Sequence, residues 1–197
     1  MDKVIHRYPK LPIIVLTKGL LVLSSNGQSN PHVWMSVPLA KQMVVQLSKE
    51  LSAIDPLHGE SYRQNALRYE GKLQSLDAWM KSELLPYKGT SIMTFHEALP
   101  HFAYEYGFNI VGVVQQEPGS EPSAKEIVTL RKRIVEKRVR VVLTEPQFSD
   151  KIAGMIVRGS TAKLAMLDVG VTGPVKDSAY LDMMRANVAS ILSVLKP

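Results

Sequence analysis

From residue 87 onward, short apolar runs alternate along the chain with longer segments whose apolar positions repeat at helical spacing. Strands that alternate with helices in this way are typical of βαβ units, which form a parallel sheet with helices packed on its faces. Ligands bind such sheets at the carboxyl ends of the strands. The predicted strands are Thr90–Phe95, Asn109–Val114, Val139–Thr144 and Lys163–Leu167, and the predicted helices are His96–Tyr106, Pro122–Lys137, Phe148–Ser160 and Ser178–Leu195.

Two further helices are predicted before this α/β unit. The first covers Pro38–Ile54 and is ended by Asp55–Pro56, and the second covers Gly59–Leu85, about 40 Å at 1.5 Å per residue. Apolar side chains along the second helix recur at alternating spacings of four and three. This pattern suits either a short coiled coil or a helix lying along a globular surface. The surface helix is favoured, because the pattern spans fewer than three heptads.

The first 36 residues do not fit this scheme. Ile13–Leu16 predicts a strand, and Leu20–Leu23 a further one. A strand of the parallel type needs neighbours on both sides, yet the nearest predicted strand downstream lies beyond two helices. This region therefore has the pattern of the last part of a larger unit.

The composition excludes several classes of protein. The chain has 197 residues, a formal charge of +6 and no cysteine, which excludes disulfides, thiolate zinc clusters and cysteine nucleophiles. Hydrophobic residues make up 45% of the chain, enough for a packed core. No run of about 20 apolar residues predicts a membrane span. The N-terminal apolar run is broken by Pro12 and ends at Leu16 without a small-residue cleavage site, so no export signal is predicted.

The positive charge is concentrated in one segment. Residues 122–140 hold seven Lys or Arg against two Glu, which is +5 of the total +6. Such a segment is either a binding patch for nucleic acid or membrane, or the solvated face of an amphipathic helix. The consecutive residues Arg131–Arg133 point about 100° apart, and no aromatic side chain is interleaved for base stacking. The solvated face is favoured, and no nucleic-acid partner is expected.

Several catalytic motifs are absent from the sequence. The chain has neither a glycine-rich phosphate loop nor a GxSxG nucleophile elbow. His96-Glu97 is typical of the start of a zinc-protease motif, but the next histidine, His101, follows five positions later. Five positions place two side chains about 140° apart on a helix, so a shared metal on one helix face is excluded.

Residue types that bind metals follow several of the predicted strands. His96, Glu145 and Asp168 come directly after strands, and Glu117 follows three residues after another. His32 lies in a loop before a helix. Two imidazoles with a carboxylate suit zinc or a similar divalent ion. Each residue alone also has an ordinary structural interpretation as a hydrogen-bonding histidine, a turn residue or a helix cap, and spacing alone leaves both interpretations open.

Five short segments occur in a characteristic order, each at a predicted loop or helix start. They are Asn30–Trp34 (NPHVW), Thr94–Ala98 (TFHEA), Glu121–Lys125 (EPSAK), Thr144–Phe148 (TEPQF), and Leu167–Asp168 (LD) with Val171–Pro174 (VTGP). With them the chain resembles, from about Leu11 to Leu195, the zinc and manganese solute-binding proteins of bacterial ABC importers, the ZnuA/TroA-like group. The resemblance implies two α/β lobes joined by a long helix, matched by Gly59–Leu85, with a metal ion held between the lobes.

The resemblance implies three metal ligands, which are His32, His96 and Asp168. Zinc is the expected ion and manganese the alternative, since two nitrogens and one carboxylate fit either. A further histidine that the family carries in its first lobe has no counterpart here. The carboxylates expected to support the ligands or cap helices are Glu97, Glu117 and Glu145, and the histidines that match no ligand position are His6, His58 and His101.

The resemblance also implies a division of the chain and a cellular role. Residues 1–58 are expected to be the remnant of an N-terminal lobe whose front is missing, 59–86 the inter-lobe helix, and 87–197 the C-terminal α/β metal-binding lobe. The implied function is capture of a divalent metal ion for an ABC transporter permease, in the periplasm or cell envelope. An uncovered strand and helix face also predict a homodimer through the N-terminal segment and the long helix.

Two other functions remain open at this point. A metal hydrolase could use His32, His96 and Asp168 as ligands, with Glu97 or Glu117 as the base that activates water. No motif that would orient a substrate accompanies these residues. Alternatively, a degenerate fragment could serve an interaction role through its long helix and basic face.

Overall fold

The computed structural model describes residues 6–25, 27–115, 122–170 and 172–196. It begins with a short antiparallel pair, β1 (Ser24–Ser25) and β2 (Gln28–Ser29). The main sheet consists of four parallel strands, which are β3 (Ser91–Thr94), β4 (Asn109–Val113), β5 (Val141–Thr144) and β6 (Lys163–Met166). The helices are α1 (Val37–Ile54), α2 (Gly59–Leu84), α3 (Pro100–Tyr106), α4 (Ala124–Glu136), α5 (Asp150–Val157) and α6 (Ala179–Leu195).

The order of the strands confirms the predicted α/β fold. The four strands lie in the order β4-β3-β5-β6, and each neighbouring pair is parallel. The chain leaves β3 for β4 on one side and returns to β5 on the other side. A topological switch point therefore lies between β3 and β5, and open α/β sheets bind ligands beyond the carboxyl ends of the strands at such a point.

Two hydrophobic cores cover the two faces of this sheet. One contains Ile92 of β3 and Leu143 of β5 together with side chains of α2, α3 and α6. The other contains Met93 of β3 and Val142 of β5 together with side chains of α4 and α5. Successive residues of a strand point to opposite faces, so these apolar strands are buried on both sides. This three-layer arrangement fixes the carboxyl ends of β3, β5 and β6 relative to one another.

Helix α2 lies along the body of the protein. Its buried side chains Leu73, Leu76, Met80 and Leu84 all belong to the core shared with α3 and α6, and α1 packs along it. Leu67 points away from this core and is 61% exposed. This is the arrangement expected of a helix on a globular surface, the interpretation favoured over a coiled coil.

The strands predicted near the N-terminus are wrong. Ile13–Leu16 and Leu20–Leu23 form no strand, and the chain turns at residues 16–19 instead. A strand is stable only where a neighbour satisfies its backbone hydrogen bonds, and among the described residues the main sheet consists of β3 to β6 alone. The apolar side chains of Ile13 and Val15 are consequently about half exposed, at 49% and 56%.

The first residues of helices α3 and α4 can be compared with the helices predicted from the sequence. Helix α3 begins at Pro100 rather than at His96, because proline lacks an N–H and is favoured in the first turn. Residues 96–99 form a loop as a result, and the loop carries the candidate ligand. Helix α4, which lies within the predicted helix Pro122–Lys137, begins with a capping box: Glu126 N donates to Ser123 Oγ at 3.3 Å and Ser123 N donates to Glu126 Oε2 at 2.7 Å.

Three residues named in the sequence analysis, Glu117, Glu121 and Val171, lie outside the described residues. Among the helices within the described ranges, none is long and apolar enough to cross a bilayer.

Candidate metal site

His96 and Glu145 meet at the topological switch point of the sheet. His96 follows β3, Glu145 follows β5, and His96 Nδ1 lies 2.6 Å from Glu145 Oε1. Glu145 is almost fully buried, and its second oxygen accepts a hydrogen bond from Gln147 Nε2 at 2.7 Å. A carboxylate only accepts hydrogen bonds, so the ring hydrogen lies on Nδ1. Neutral His96 therefore carries its lone pair on Nε2.

Asn30 fixes His32 beside this pair. Asn30 Nδ2 donates to the carbonyl oxygen of Glu97 at 2.7 Å, which identifies Asn30 Oδ1 as an acceptor. That oxygen lies 3.0 Å from the backbone N of His32 and 3.2 Å from its Nδ1. Neutral His32 thus also carries its ring hydrogen on Nδ1 and its lone pair on Nε2. Buried His101 donates from Nε2 to the carbonyl oxygen of Asn30 at 3.2 Å and fixes Asn30 in turn.

The two imidazole rings are direct neighbours. The ring centroids of His32 and His96 lie 5.2 Å apart, and the ring planes are inclined at 79°. Asn30 and Glu145 accept from the Nδ1 atoms of His32 and His96, so in both rings the free lone pair is on Nε2. Histidines that bind zinc typically donate the other ring nitrogen to a carboxylate or amide oxygen in this way. Each ring therefore keeps on Nε2 the lone pair with which an imidazole binds metal ions.

Burial favours the neutral, metal-binding form of His32. Desolvation is the largest cause that lowers the pKa of His32 below its ordinary value, and the nearby charge of His96 lowers it further. Glu145 and a hydrogen bond to the backbone of Glu97 act in the opposite direction but do not cancel the effect. Protons therefore compete less strongly with a metal ion at His32 than they would at an exposed histidine.

Asp168 follows β6 at the same edge of the sheet. Its Oδ1 accepts from the backbone N of Gly170 at 2.8 Å, and its Oδ2 accepts from the backbone N and Oγ1 of Thr172 at 2.8 and 3.0 Å. Asn187 of α6 holds the backbone of Asp168 by accepting from its N at 2.8 Å and donating to its O at 2.7 Å. The position of Asp168 is thus set by its own loop and by α6.

Trp34 joins the loop of His32 to the loop of Asp168. Its indole Nε1 donates to the carbonyl oxygen of Val169 at 2.8 Å. The hydroxyl of Tyr180 donates to the carbonyl oxygen of Trp34 at 2.7 Å, which ties the same segment to α6. The segment before α1 is therefore held against the carboxyl edge of the sheet by the four hydrogen bonds described here, two at Asn30 and two at Trp34.

The structure brings two of the three predicted ligands, His32 and His96, into contact. Asp168 lies at the same edge, in the loop that Trp34 reaches. Within the described ranges, no group of three or more His, Asp or Glu side chains is arranged closely enough to hold an ion. Joint binding of one ion by His32, His96 and Asp168 therefore stays a prediction.

Buried oxygen atoms add polar character to this edge. Thr94 Oγ1, Gln115 Oε1 and Thr144 Oγ1 are buried, and among the described residues none of the three atoms has a hydrogen-bond partner. They belong to the carboxyl ends of β3, β4 and β5. Buried polar atoms without partners are uncommon and are costly away from functional sites.

The remaining histidines named in the sequence analysis are not part of this cluster. His58 is exposed and forms a 2.7 Å bond from Nδ1 to Asp55 Oδ2 before α2. His101 is buried and donates to the carbonyl oxygen of Asn30. Glu145, expected to support a ligand, lies against His96.

Three supporting residues were not predicted in their roles, which are Asn30, Trp34 and Asn187. The first two lie in the NPHVW segment, whose sequence predicts a loop but does not indicate which residues Asn30 and Trp34 bond to. Asn187 leaves a detectable signal, because it interrupts the apolar face that α6 forms with Met184, Val188 and Ile191.

A comparison of the whole chain with known families gives one match that covers nearly all of it. Residues 1–194 match the family described as ZnuA, zinc-uptake complex component A periplasmic. The chain belongs to the ZnuA family. The α/β fold, the His32–His96 pair and the five sequence segments are consistent with that membership.

Individual relatives are named for both zinc and manganese. The chain is 29% identical over 192 residues to the manganese-binding lipoprotein MntA of Bacillus subtilis, covering 92% of this chain and 63% of MntA. It is 30% identical over 142 residues to the high-affinity zinc uptake system protein ZnuA of Brucella abortus, covering 72% of this chain and 42% of that protein. The chain thus spans less than two thirds of the length of each of these relatives.

Solved structures show the same fold. The solute-binding protein FpvC of Pseudomonas aeruginosa in complex with Mn²⁺ superposes with a TM-score of 0.85 at 25% identity, covering 95% of this chain and 71% of FpvC. A crystal structure of ZnuA superposes with a TM-score of 0.84 at 24% identity, covering 98% of this chain and 73% of that chain.

Proposed function

We propose that this chain captures a divalent transition metal ion, zinc first and manganese second, as the substrate-binding component of an ABC importer. The observation that carries the proposal is the contact of His32 with His96, in which both Nδ1 atoms are held by side-chain oxygens. Two Nε2 lone pairs at the switch point of the sheet form the nitrogen half of a metal site. Asp168, at the same edge, is proposed as the carboxylate ligand.

The proposed role is binding and release, without chemistry on the ion. Imidazole binds a metal only in its neutral form, so protonation of His32 and His96 releases the ion. Affinity is expected to fall between about pH 7 and pH 5, because an ordinary histidine titrates near pH 6.5 and the lowered pKa of His32 moves its part of the fall toward the acid end of this range. The division of the chain into residues 1–58, 59–86 and 87–197 is part of the same proposal. In the sequence, one proposed ligand, His32, precedes helix α2, and the other two, His96 and Asp168, follow it.

The test is zinc titration of the purified chain in competition with a chelator of known affinity. We expect His32→Ala, His96→Ala and Asp168→Ala each to weaken zinc binding by at least about tenfold, which corresponds to about 1.4 kcal/mol. The matched control is His58→Ala, which removes an exposed histidine outside the cluster and is expected to leave the affinity unchanged. Unchanged binding in His96→Ala would exclude the proposed site.

The choice between zinc and manganese follows from the donor set. Imidazole nitrogens suit zinc well, whereas manganese favours carboxylate and other oxygen ligands. A site with two histidines and one aspartate is therefore expected to bind zinc more tightly, in agreement with the Irving–Williams order. Competition between the two ions in one titration measures this preference directly.

The partner proposed for the loaded chain is the membrane permease of the importer, and the proposed compartment is the periplasm or cell envelope. Support comes from the family, which is described as a periplasmic component of a zinc-uptake complex. Delivery can be tested by restoring zinc-limited growth in a strain that lacks its own zinc-binding component. The His96→Ala variant is the control, since it is expected to fold but not to restore growth.

Association of two copies through the N-terminal segment and α2 stays a prediction. It is supported by apolar side chains that are at least half exposed, which are Leu11, Val15, Leu21 and Leu67. Exposed apolar side chains favour contact with a partner where they lie on one surface. Light scattering at micromolar concentration measures the mass, and a mass of one chain would contradict the prediction.

A further inference from the structure

A second cavity lies at the opposite edge of the sheet from the metal site. It has a volume of about 660 Å³ and lies where the chain enters β5 and β6, between the end of α4 and the turn before β6. Its floor includes the buried side chains of Ile134 and Val139, and its rim includes Arg138 and Arg140. The cavity is thus apolar inside and cationic at its mouth, within the size range of ligand pockets.

Arg138 holds a backbone conformation that glycine would hold with less strain. Its φ is 51°, and among the described residues it is the one non-glycine residue with a positive φ. It follows the end of α4 in a Schellman arrangement, where Val139 N donates to Ile134 O at 2.9 Å and Arg138 N donates to Val135 O at 3.2 Å. This position usually holds glycine because of the left-handed backbone. Arg138, which lines the cavity, is therefore an arginine at a position where glycine would be less strained.

Two further arginines surround the same cavity. Arg131 Nη2 lies 3.2 Å from the position that a Cβ would take on Gly159, and Gly159 is part of the cavity wall. Arg140 lines the cavity, and its Nη2 donates to the carbonyl oxygen of Leu195 at the end of α6 at 3.1 Å, which leaves its other N–H groups to bind an anion. Arg138 and Arg140 therefore line the cavity, and the guanidinium group of Arg131 reaches its wall at Gly159.

No carboxylate neutralises these three groups within the described part of the chain. None of the ion pairs there includes Arg131, Arg138 or Arg140, and Glu136, the acidic residue nearest in sequence, pairs with Lys132 at 3.7 Å. Three unpaired cations around one cavity repel one another, and an anion placed between them removes that repulsion. Part of the positive charge of residues 122–140 thus lies at a cavity, while Lys132 and other basic side chains of α4 lie on its solvated face.

We infer that this cavity binds a phosphate group carried by a small organic or lipid molecule. Guanidinium groups bind phosphate through paired, charge-assisted hydrogen bonds, which makes arginine the preferred residue for this anion. The apolar floor formed by Ile134 and Val139 suits the carbon part of a phosphate ester. The same chemistry is offered by a soluble phosphate ester and by the headgroup of an anionic phospholipid.

The test measures binding of four probes to the intact chain. The soluble probes are inorganic phosphate and glycerol 3-phosphate, followed by calorimetry, and the membrane probes are vesicles of phosphatidylglycerol and of phosphatidylcholine, followed by co-sedimentation. We expect Arg138→Gly and Arg140→Gln each to weaken binding by at least about tenfold, as for loss of a charge-assisted bond pair. Lys132→Gln removes the same charge from the outer face of α4 and is expected to change binding by less than about twofold.

The melting temperature of the Arg138→Gly variant shows whether the variant is still folded. Glycine relieves the left-handed strain, so the melting temperature of this variant is expected to rise while its phosphate binding falls. Binding of glycerol 3-phosphate supports a soluble ester as the source, and binding to phosphatidylglycerol vesicles alone supports the lipid headgroup. Failure of the unmodified chain to bind any probe, or equal losses in Arg138→Gly and Lys132→Gln, would overturn the inference. Neither result depends on the metal site.

Discussion

Trp34 and Val169 are joined by a 2.8 Å hydrogen bond from the indole Nε1 to the backbone carbonyl oxygen. They are separated by 135 positions in the sequence. Trp34 lies two residues after His32, and Val169 directly follows Asp168. This single bond therefore holds together the two segments that carry a proposed nitrogen ligand and the proposed carboxylate ligand.

Removal of this bond should weaken metal binding without removing a ligand. We expect Trp34→Phe to lower zinc affinity by about fivefold, since a partly buried hydrogen bond contributes about 1 kcal/mol. The matched control is Trp79→Phe, which alters the other tryptophan of the chain, in α2, where its ring stacks with Arg185. Zinc titration measures the affinity of both variants. Equal zinc affinities of Trp34→Phe and Trp79→Phe would show that the bond from Trp34 to Val169 does not position the site.

Glu145 should control metal affinity through His96. We expect Glu145→Gln to weaken zinc binding by about 10–100-fold, the usual effect of removing the hydrogen-bond partner of a metal-binding histidine. The carboxamide keeps the size of the side chain but loses the charge that holds the Nδ1 hydrogen. Competition titration measures the loss.

The chain contains a matched control for this substitution. Asp55 and His58 form the same kind of bond, 2.7 Å from Nδ1 to a carboxylate oxygen, at an exposed position away from the cluster. Asp55→Asn is therefore expected to leave zinc affinity unchanged. Equal losses in Glu145→Gln and Asp55→Asn would contradict a specific role for Glu145.

The lowered pKa of His32 should make the apo protein less stable in acid. Burial, and secondarily the charge of His96, place the pKa of His32 below its ordinary value of 6.5 in the folded state. The unfolded chain therefore takes up the proton first, and the free energy of unfolding falls as the pH drops below about 6.5 and through the lowered folded pKa. Above that range the effect on stability disappears.

The substitution His32→Gln isolates this contribution. Urea unfolding of the metal-free protein between about pH 7.5 and pH 5 is expected to show a smaller loss of stability in the variant than in the unmodified chain. A difference between the two proteins that stays constant over this pH range would contradict the assignment to His32.

His101 should stabilise the fold through Asn30. We expect His101→Phe to lower the free energy of unfolding by about 1–3 kcal/mol, because the ring keeps its packing but leaves the carbonyl oxygen of Asn30 without its buried donor. Urea unfolding near neutral pH measures the change. An unaltered midpoint would show that solvent satisfies this carbonyl, and that His101 is not an anchor of the His32 loop.

The sheet and its flanking helices follow from local pattern. Strand Val141–Thr144 lies within the predicted segment Val139–Thr144, because a short run of β-branched residues buries both faces wherever helices cover it. Helix α4 is equally local, since Ser123 and Glu126 satisfy its first N–H groups from within the same turn. Ile13–Leu16 has a similar apolar pattern but lacks a neighbouring strand. The same pattern therefore predicts a strand correctly in the sheet and wrongly near the N-terminus.

The sequence by itself determined which residue types stand at the ends of the strands. His96, Glu145 and Asp168 each follow a predicted strand, and the carboxyl ends of parallel strands share one edge. Only the tertiary structure decided that His96 meets Glu145, because the strand order β4-β3-β5-β6 makes β3 and β5 neighbours. It also decided that His32 lies against His96, since that contact depends on Asn30, a residue distant in sequence from both Glu97 and His101. Hydrogen bonds between distant segments leave no periodic signal in a chain, so these contacts are determined only when the segments pack.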